Sequence, residues 1–220
     1  MTEIEAIRAR HAVRYYTAKP LSPEIIDELS QEIEQCNRQG QLHIQLVTEN
    51  EEAFKTFIPL FGRFKNVKNY IALAAKKQGD FYVKCGYCGA RLMVKAQQAG
   101  LNSCWVTNTY NAKKCPVTLA PDEELVGVIA IGYGMTDGRQ HKSKSMERLC
   151  KPCSDKWFLD GMNAAVLAPT GLNRQDFFIE ANGNTVSIRT KDNHPMSQIN
   201  TGIVKYHFEI GAGRENFNWE

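Results

Sequence analysis

Apolar residues recur along the chain at two different periods, and each switch of period marks a new element. Ile25, Ile26, Leu29 and Ile33 follow Ser22-Pro23-Glu24 at helical spacing. Ser22 is the expected cap, Pro23 the first helical residue, and Glu24 an acid at the positive end of the helix dipole. A shorter helix is expected over residues 2–8, where Thr2 and Glu5 stand at capping-box spacing. Leu42, Ile44 and Leu46 alternate with His43 and Gln45, which is the period of a strand buried on one face. Residues 70–75 are apolar without alternation and predict a strand covered on both faces.

From Gly86 to Gly100, Ala90, Leu92, Met93, Val94, Ala96 and Ala99 leave little polar face, which predicts a helix deep in the fold, stopped by Gly100. Residues 103–106 and 125–133 read as strands. Residues 157–168 read as a helix halted by Pro169, and 177–180 pair with 186–189 across the turn at Asn182-Gly183. Residues 202–211 predict a closing helix. The triplet Asn37-Arg38-Gln39 returns as Asn173-Arg174-Gln175, and around each copy the order reads helix, triplet, strand. Residues 86–100 echo residues 200–213 in the same way. Duplication of one design and coincidence of common helix and strand words both fit this pattern.

Composition narrows the class of protein. The chain has 220 residues, 43% hydrophobic and 23% charged, as expected for a soluble globular protein. A net charge of +3 is too small to suggest a nucleic-acid groove. The opening MTEIEAIRAR lacks the apolar run of a secretory signal, and no window has the length of a membrane span. A cytoplasmic protein with no membrane and no nucleic-acid partner is expected, and its seven cysteines are expected to be reduced thiols.

Two basic clusters are candidates for holding an anion. Arg10 and Arg14, four apart with His11 beside Arg10, share a face if the first helix or its fraying end extends that far. Guanidinium forks match phosphate oxygens, although a solvated basic turn is the bland alternative. His141-Lys142-Ser143-Lys144 follows a buried strand, where ligand contacts commonly gather. Cys85-Gly86-Tyr87-Cys88 and Cys150-Lys151-Pro152-Cys153 have the spacing of a zinc or iron-sulfur site, but they lie far apart in sequence. Neither pair shows the βαβ pattern that a thiol-disulfide motif calls for. Gly132-Tyr133-Gly134 misses the dinucleotide fingerprint, because the next glycine is Gly138.

Several segments together resemble the FMN-dependent nitroreductase family. RARHAVRYYTAKPLSPEIIDEL is similar to its N-terminal arginine signature, and APTGLNRQDFF to its Ala-Pro-Ser-x-x-Asn-x-Gln-Pro-Trp segment. AQQAGLNSCWV resembles its Ala-x-x-x-Gly-Leu-x-x-x-Trp stretch, and Lys142 and Lys144 resemble the basic pair after its last core strand. The Asn-x-Gln segment lies in the second half of this chain, as in a divergent group of the family, whereas ordinary members carry it early.

The resemblance implies an α+β nitroreductase-like fold with a central, mostly antiparallel sheet flanked by helices. It implies one domain over 1–220, with approximate halves 1–140 and 141–220 forming an intrachain pseudo-dimer. The buried helices at 86–100 and 202–211 would then pack together. The cofactor implied is FMN, with Arg10, His11, Arg14, Lys142 and Lys144 on its phosphate and Pro169, Thr170 and Asn173 lining the flavin. Trp105, Val106, Thr107 and Asn108 would set backbone groups near the ring. NAD(P)H is the implied electron donor and a small oxidised molecule, such as a nitroaromatic or quinone, the acceptor. The assembly implied is a monomer with an internal pseudo-dimer, or a homodimer. Ala12 stands where the family has Ser, Asn108 where Gly is common, and Asp176-Phe177 where Pro-Trp is usual. Two rivals stand beside this reading: a flavin-binding or sensing protein without turnover, and a zinc or iron-sulfur protein.

Overall fold

The structure, a computed structural model, describes residues 1–55 and 63–220. The fold is α+β, and the chain divides into two compact units. A sheet unit comprises residues 9–81 and 92–140, and a helical unit comprises residues 1–8, 82–91 and 141–220. No described helix is long and apolar enough to cross a membrane.

In the sheet unit, helix α2 (Pro23–Gly40) begins as its sequence predicts, with Ser22 Oγ accepting from the Ile25 amide at 3.5 Å. It buries Leu29, Ile33 and Cys36 and ends on Gln41 in the left-handed region. Strands β1 (Gln45–Val47), β2 (Asn69–Lys76), β3 (Asn102–Val106) and β4 (Glu123–Gly132) form an antiparallel sheet in the order β1-β2-β4-β3. All of β2 is buried except Lys76, which agrees with its unalternating pattern. The strand predicted over Leu42 to Leu46 shifts toward the C-terminus. Leu42 makes only an isolated bridge to Ala75, and the ladder starts at Gln45. The cause lies in Asn37, whose side chain accepts from the Ile44 amide at 2.7 Å and donates to the Ile44 carbonyl at 2.9 Å, which takes both polar groups of that residue out of the ladder.

In the helical unit, α1 (Glu3–Ala9) opens with the expected capping box: the Thr2 amide donates to Glu5 at 2.8 Å and the Glu5 amide to Thr2 Oγ1 at 3.3 Å. Helix α3 (Phe81–Gln98) contributes its first half to this unit, together with α4 (Lys156–Ala165) and α5 (Pro195–Ala212). Strands β5 (Phe177–Asn182) and β6 (Thr185–Thr190) form the predicted hairpin, with Gly183 at φ 59°, and β7 (Asn218–Trp219) joins β6 in parallel. The C-terminus is held by Glu209, which accepts from Tyr87, Arg214 and Trp219 at 2.6, 3.0 and 2.9 Å.

Two helices begin earlier than their sequence suggests. Gly86 and Gly202 look like boundaries in the sequence, yet both sit inside helices, at the crossing of α3 and α5. A Cβ on Gly202 would lie 1.9 Å from the Val83 carbonyl oxygen, and one on Gly86 would lie 2.1 Å from that of Ile199. The expected packing of these two buried helices is therefore present, with bare backbone at the contact. The early start of α5 has its own signal, a His194 side chain that caps the Met196 amide at 3.2 Å, with Pro195 as the first helical residue.

The two Asn-Arg-Gln triplets differ in conformation. Residues 37–39 form the last helical turn of α2, whereas Asn173 and Gln175 have φ of 53° and 48° outside any α-helix. The helix-triplet-strand echo therefore does not extend to the backbone at the triplets.

Gly202→Ala should cost about 3 kcal/mol or more, because the clash is with backbone that cannot rotate away. In a chain of this size that lowers Tm by about 6–12 °C in a thermal melt. Gly183→Ala, where nothing lies within 4 Å and only the positive φ opposes a side chain, should cost about 1 kcal/mol.

Candidate functional site

The sheet unit and the helical unit each hold one polar centre built from residues singled out by sequence. In the sheet unit, α1 ends at Ala9, so Arg10 and Arg14 do not share a helical face. Residues from Arg10 onward leave the helix, and Ala12 bridges Ser103 of β3 in parallel, the Val13 amide donating to the Ser103 carbonyl at 3.1 Å. Helix propensity loses here to the edge of β3, which offers hydrogen bonds that the end of a short helix lacks. Spacing of two, rather than four, relates Arg10, Ala12 and Arg14 along this extended run. Both guanidiniums act on the thiol of Cys104: burial pushes that thiol up, and the charges of Arg14 and Arg10 oppose the shift.

Arg10 is 4% exposed, and its Nε and Nη1 have no hydrogen-bond partner among the described residues. Burial lowers its pKa to about 10, so it keeps its charge at neutral pH. Below that value the folded state bears the cost of a buried cation in full; the cost declines as pH rises beyond it. Buried charges normally have an ion partner. His11 is half-buried and Arg14 exposed on the same run. Trp105 and Val106 lie on β3, and Thr107 and Asn108 in the bend that follows; the indole Nε1 of Trp105 is also buried and unpartnered among the described residues.

In the helical unit, the organising residue is Gln175, whose place in a repeated triplet gives no sign of this role. It is 2% exposed. Its Oε1 accepts from the Lys144 amide at 2.7 Å, and its Nε2 donates to the Lys142 carbonyl at 2.9 Å and to Asn173 Oδ1 at 2.7 Å. Its own amide donates to Thr170 Oγ1 at 3.0 Å. Asn173 adds a bond from Nδ2 to the Lys142 carbonyl at 2.9 Å. The basic loop and the Pro169-Thr170-Gly171-Leu172-Asn173 segment are thus brought together. Asn173 spends its amide on this loop, and the Lys144 ammonium rests on the Gln175 carbonyl at 3.1 Å and Asp176 at 3.2 Å. Lys142 is exposed, Thr170 buried and Pro169 half-buried. The network holds a strained turn: Leu172, Asn173 and Gln175 all have positive φ, and Leu172 is 90% exposed.

The four cysteines of the two CxxC pairs belong to the helical unit. Among the described residues, no group of three or more His, Cys, Asp or Glu side chains is placed to hold a metal ion.

The sequence profile of the family described as "Putative TM nitroreductase" matches residues 3–212. The chain belongs to that family. The nitroreductase fold is also that of a putative nitroreductase from Thermotoga maritima, with a TM-score of 0.70 at 20% identity, covering 98% of this chain and 85% of that one. A putative nitroreductase from Desulfovibrio desulfuricans, in complex with FMN, gives a TM-score of 0.56 at 16% identity over 70% of this chain and 99% of that one. A putative NADH dehydrogenase/NAD(P)H nitroreductase from Parabacteroides distasonis gives 0.54 at 19% identity over 67% and 95%. No curated protein matches the chain. Within the nitroreductase fold of this chain, Arg10 and Gln175 are the two buried polar residues on which the centres turn, the first with two nitrogens unpartnered among the described residues and the second saturated.

Gln175→Ala should cost about 1–3 kcal/mol by stranding buried partners. Amide exchange at Lys144 should quicken well beyond the change in global stability, as hydrogen exchange followed by mass spectrometry would show.

Proposed function

We propose that this nitroreductase-family chain is an FMN-dependent oxidoreductase that uses NAD(P)H to reduce a small oxidised acceptor such as a nitroaromatic or a quinone. The observation that carries the reading is the buried Arg10 guanidinium, whose Nε and Nη1 lack partners among the described residues. A phosphate monoester supplies the missing anion, and its oxygens suit a guanidinium fork. Arg14 and His11, on the same extended run, add charge and a further donor. Bound FMN supplies two-electron hydride chemistry.

The residues of this chain then have distinct tasks. Arg10 orients the phosphate, being fixed by burial before the ligand arrives, so little ordering entropy is lost on binding. Arg14, which is exposed, contributes longer-range attraction that salt weakens. Backbone groups of Trp105, Val106, Thr107 and Asn108, in the same unit as Arg10, are assigned to the flavin ring. Asn173 and Lys144 are assigned a supporting part, since their polar atoms already hold the 142–144 loop. The likeness of fold to the FMN complex from Desulfovibrio supports the choice of flavin. The choice of donor is supported by the likeness of fold to the putative NADH dehydrogenase/NAD(P)H nitroreductase from Parabacteroides.

Arg10→Met separates binding from folding. Removing an uncompensated buried charge should stabilise the flavin-free protein by about 1–4 kcal/mol, read as a higher Tm. The same change should weaken FMN binding about 10- to 100-fold in a fluorescence titration. Wild-type protein should take up one FMN per chain, and the bound flavin should bleach anaerobically with NADH or NADPH and recover its colour with a quinone. Loss of stability in Arg10→Met with unchanged flavin affinity would show that the guanidinium is structural. Tight flavin that neither nicotinamide bleaches would favour a binding or sensing role.

A further inference from the structure

The second CxxC pair sits in a setting that its sequence conceals. Residues 149–151 run parallel to β5: the Ile179 amide donates to the Leu149 carbonyl at 2.8 Å, and the Lys151 amide donates to the Ile179 carbonyl at 3.1 Å. Cys150 is the bridged residue, and α4 is the connection between the two parallel segments. This is a small β-α-β unit in which Cys150-Lys151-Pro152-Cys153 links the strand-like segment to the start of the helix. No such context is visible in the sequence, which on its own speaks against a thiol-disulfide role. Only one residue bridges, so there is no run of alternating residues to betray it.

Both cysteines line one open cavity of about 480 Å³, together with Met146, Pro152 and Leu159. They differ in access. Cys150 is 5% exposed, its backbone held against β5 and its Sγ 3.4 Å from the Met146 carbonyl. Cys153 is half-exposed, on a segment (152–155) that belongs to no helix or strand, and its Sγ lies 3.7 Å from Asp155 Oδ2. Burial, with Cys153 and Glu147 nearby, pushes the Cys150 thiol up, which keeps it protonated and slow toward outside reagents.

We propose that Cys150 and Cys153 are a redox-active dithiol that closes to a disulfide by exchange with low-molecular-weight disulfides. The Cys153 thiolate attacks a sulfur of the external disulfide, forming a mixed disulfide and releasing one thiol. Cys150 loses its proton and attacks Cys153 Sγ, forming the internal bond and expelling the second thiol. Overall the protein dithiol is oxidised by two electrons and one external disulfide is reduced to two thiols. The fixed Cys150 and the more accessible Cys153 set the order of events. The irregular segment between them and α4 lets Cys153 turn toward its partner. The proposal does not rest on the flavin reading.

The test uses the full chain in buffers of increasing glutathione disulfide to glutathione ratio, followed by alkylation, trypsin digestion and mass analysis of peptide 149–156. Wild-type peptide should lose both alkylation sites and become two hydrogens lighter, and dithiothreitol should restore both sites. Cys150→Ser should stop at a glutathione adduct on Cys153, and Cys153→Ser should leave Cys150 open to alkylation after unfolding. Buried Cys150→Ser is the variant at risk of misfolding; wild type and Cys153→Ser then decide the matter. A wild-type peptide that stays a dithiol in a large excess of glutathione disulfide would overturn the proposal, as would one that ends in a stable glutathione adduct.

Discussion

The helical unit depends on one contact, the crossing of α3 and α5 at Gly86 and Gly202, where each helix meets the other's backbone directly. Side chains at that crossing would force the axes apart, and the aromatic packing beyond it requires them close. Gly211 of α5 repeats the arrangement toward α4, where a Cβ would lie 2.4 Å from the Asp160 carbonyl oxygen. With its helices this near, the unit buries Phe158, Tyr206 and Phe208 almost completely and stacks Trp157 on Phe217 at 5.7 Å. Dispersion between close-packed atoms takes the place of large side chains at the crossing itself. The Glu209 network then fixes the C-terminal residues against α3 and α5.

The two polar centres answer opposite physical demands. Gln175 is neutral and fully engaged, so its burial adds rigidity at little electrostatic cost. Arg10 is charged, and its Nε and Nη1 have no partner among the described residues, which lowers the stability of the fold. A protein that only needed to fold would bury a methionine there. On the proposed function, this local deficit is readiness to bind an anion, since functional positions are where such rules of folding are broken.

Much of the architecture could be read directly from residue patterns. Ser22-Pro23, the Thr2 and Glu5 box, the unalternating run of β2 and the Asn182-Gly183 hairpin each carry a local cause that tertiary contacts did not override. Where reading failed, the cause was non-local. Gly86 and Gly202 punctuate a sequence but serve a helix crossing. Arg10 and Arg14 obey the spacing of an extended segment because β3 offers an edge. In the candidate site the residue types were legible, since basic clusters and the APTGLN segment stand out. The part played by Gln175 was not, because the loop it holds lies some thirty positions earlier in the chain (Lys142 to Lys144).

The turn from Gly171 to Gln175 places two positions of one short segment under contrary rules. Gln175 is locked by four hydrogen bonds in a conformation that costs about 1–3 kcal/mol of backbone strain, so almost any replacement dismantles the loop with it. Leu172 shares the strained backbone but touches almost nothing, and its side chain projects into solvent. Drift in a lineage can therefore sample many side chains at Leu172 without paying in fold, Gly and Asn most cheaply of all. A rigid frame carrying one unconstrained position is an arrangement through which descendants of this chain can diversify what they meet at that turn while inheriting its shape unchanged.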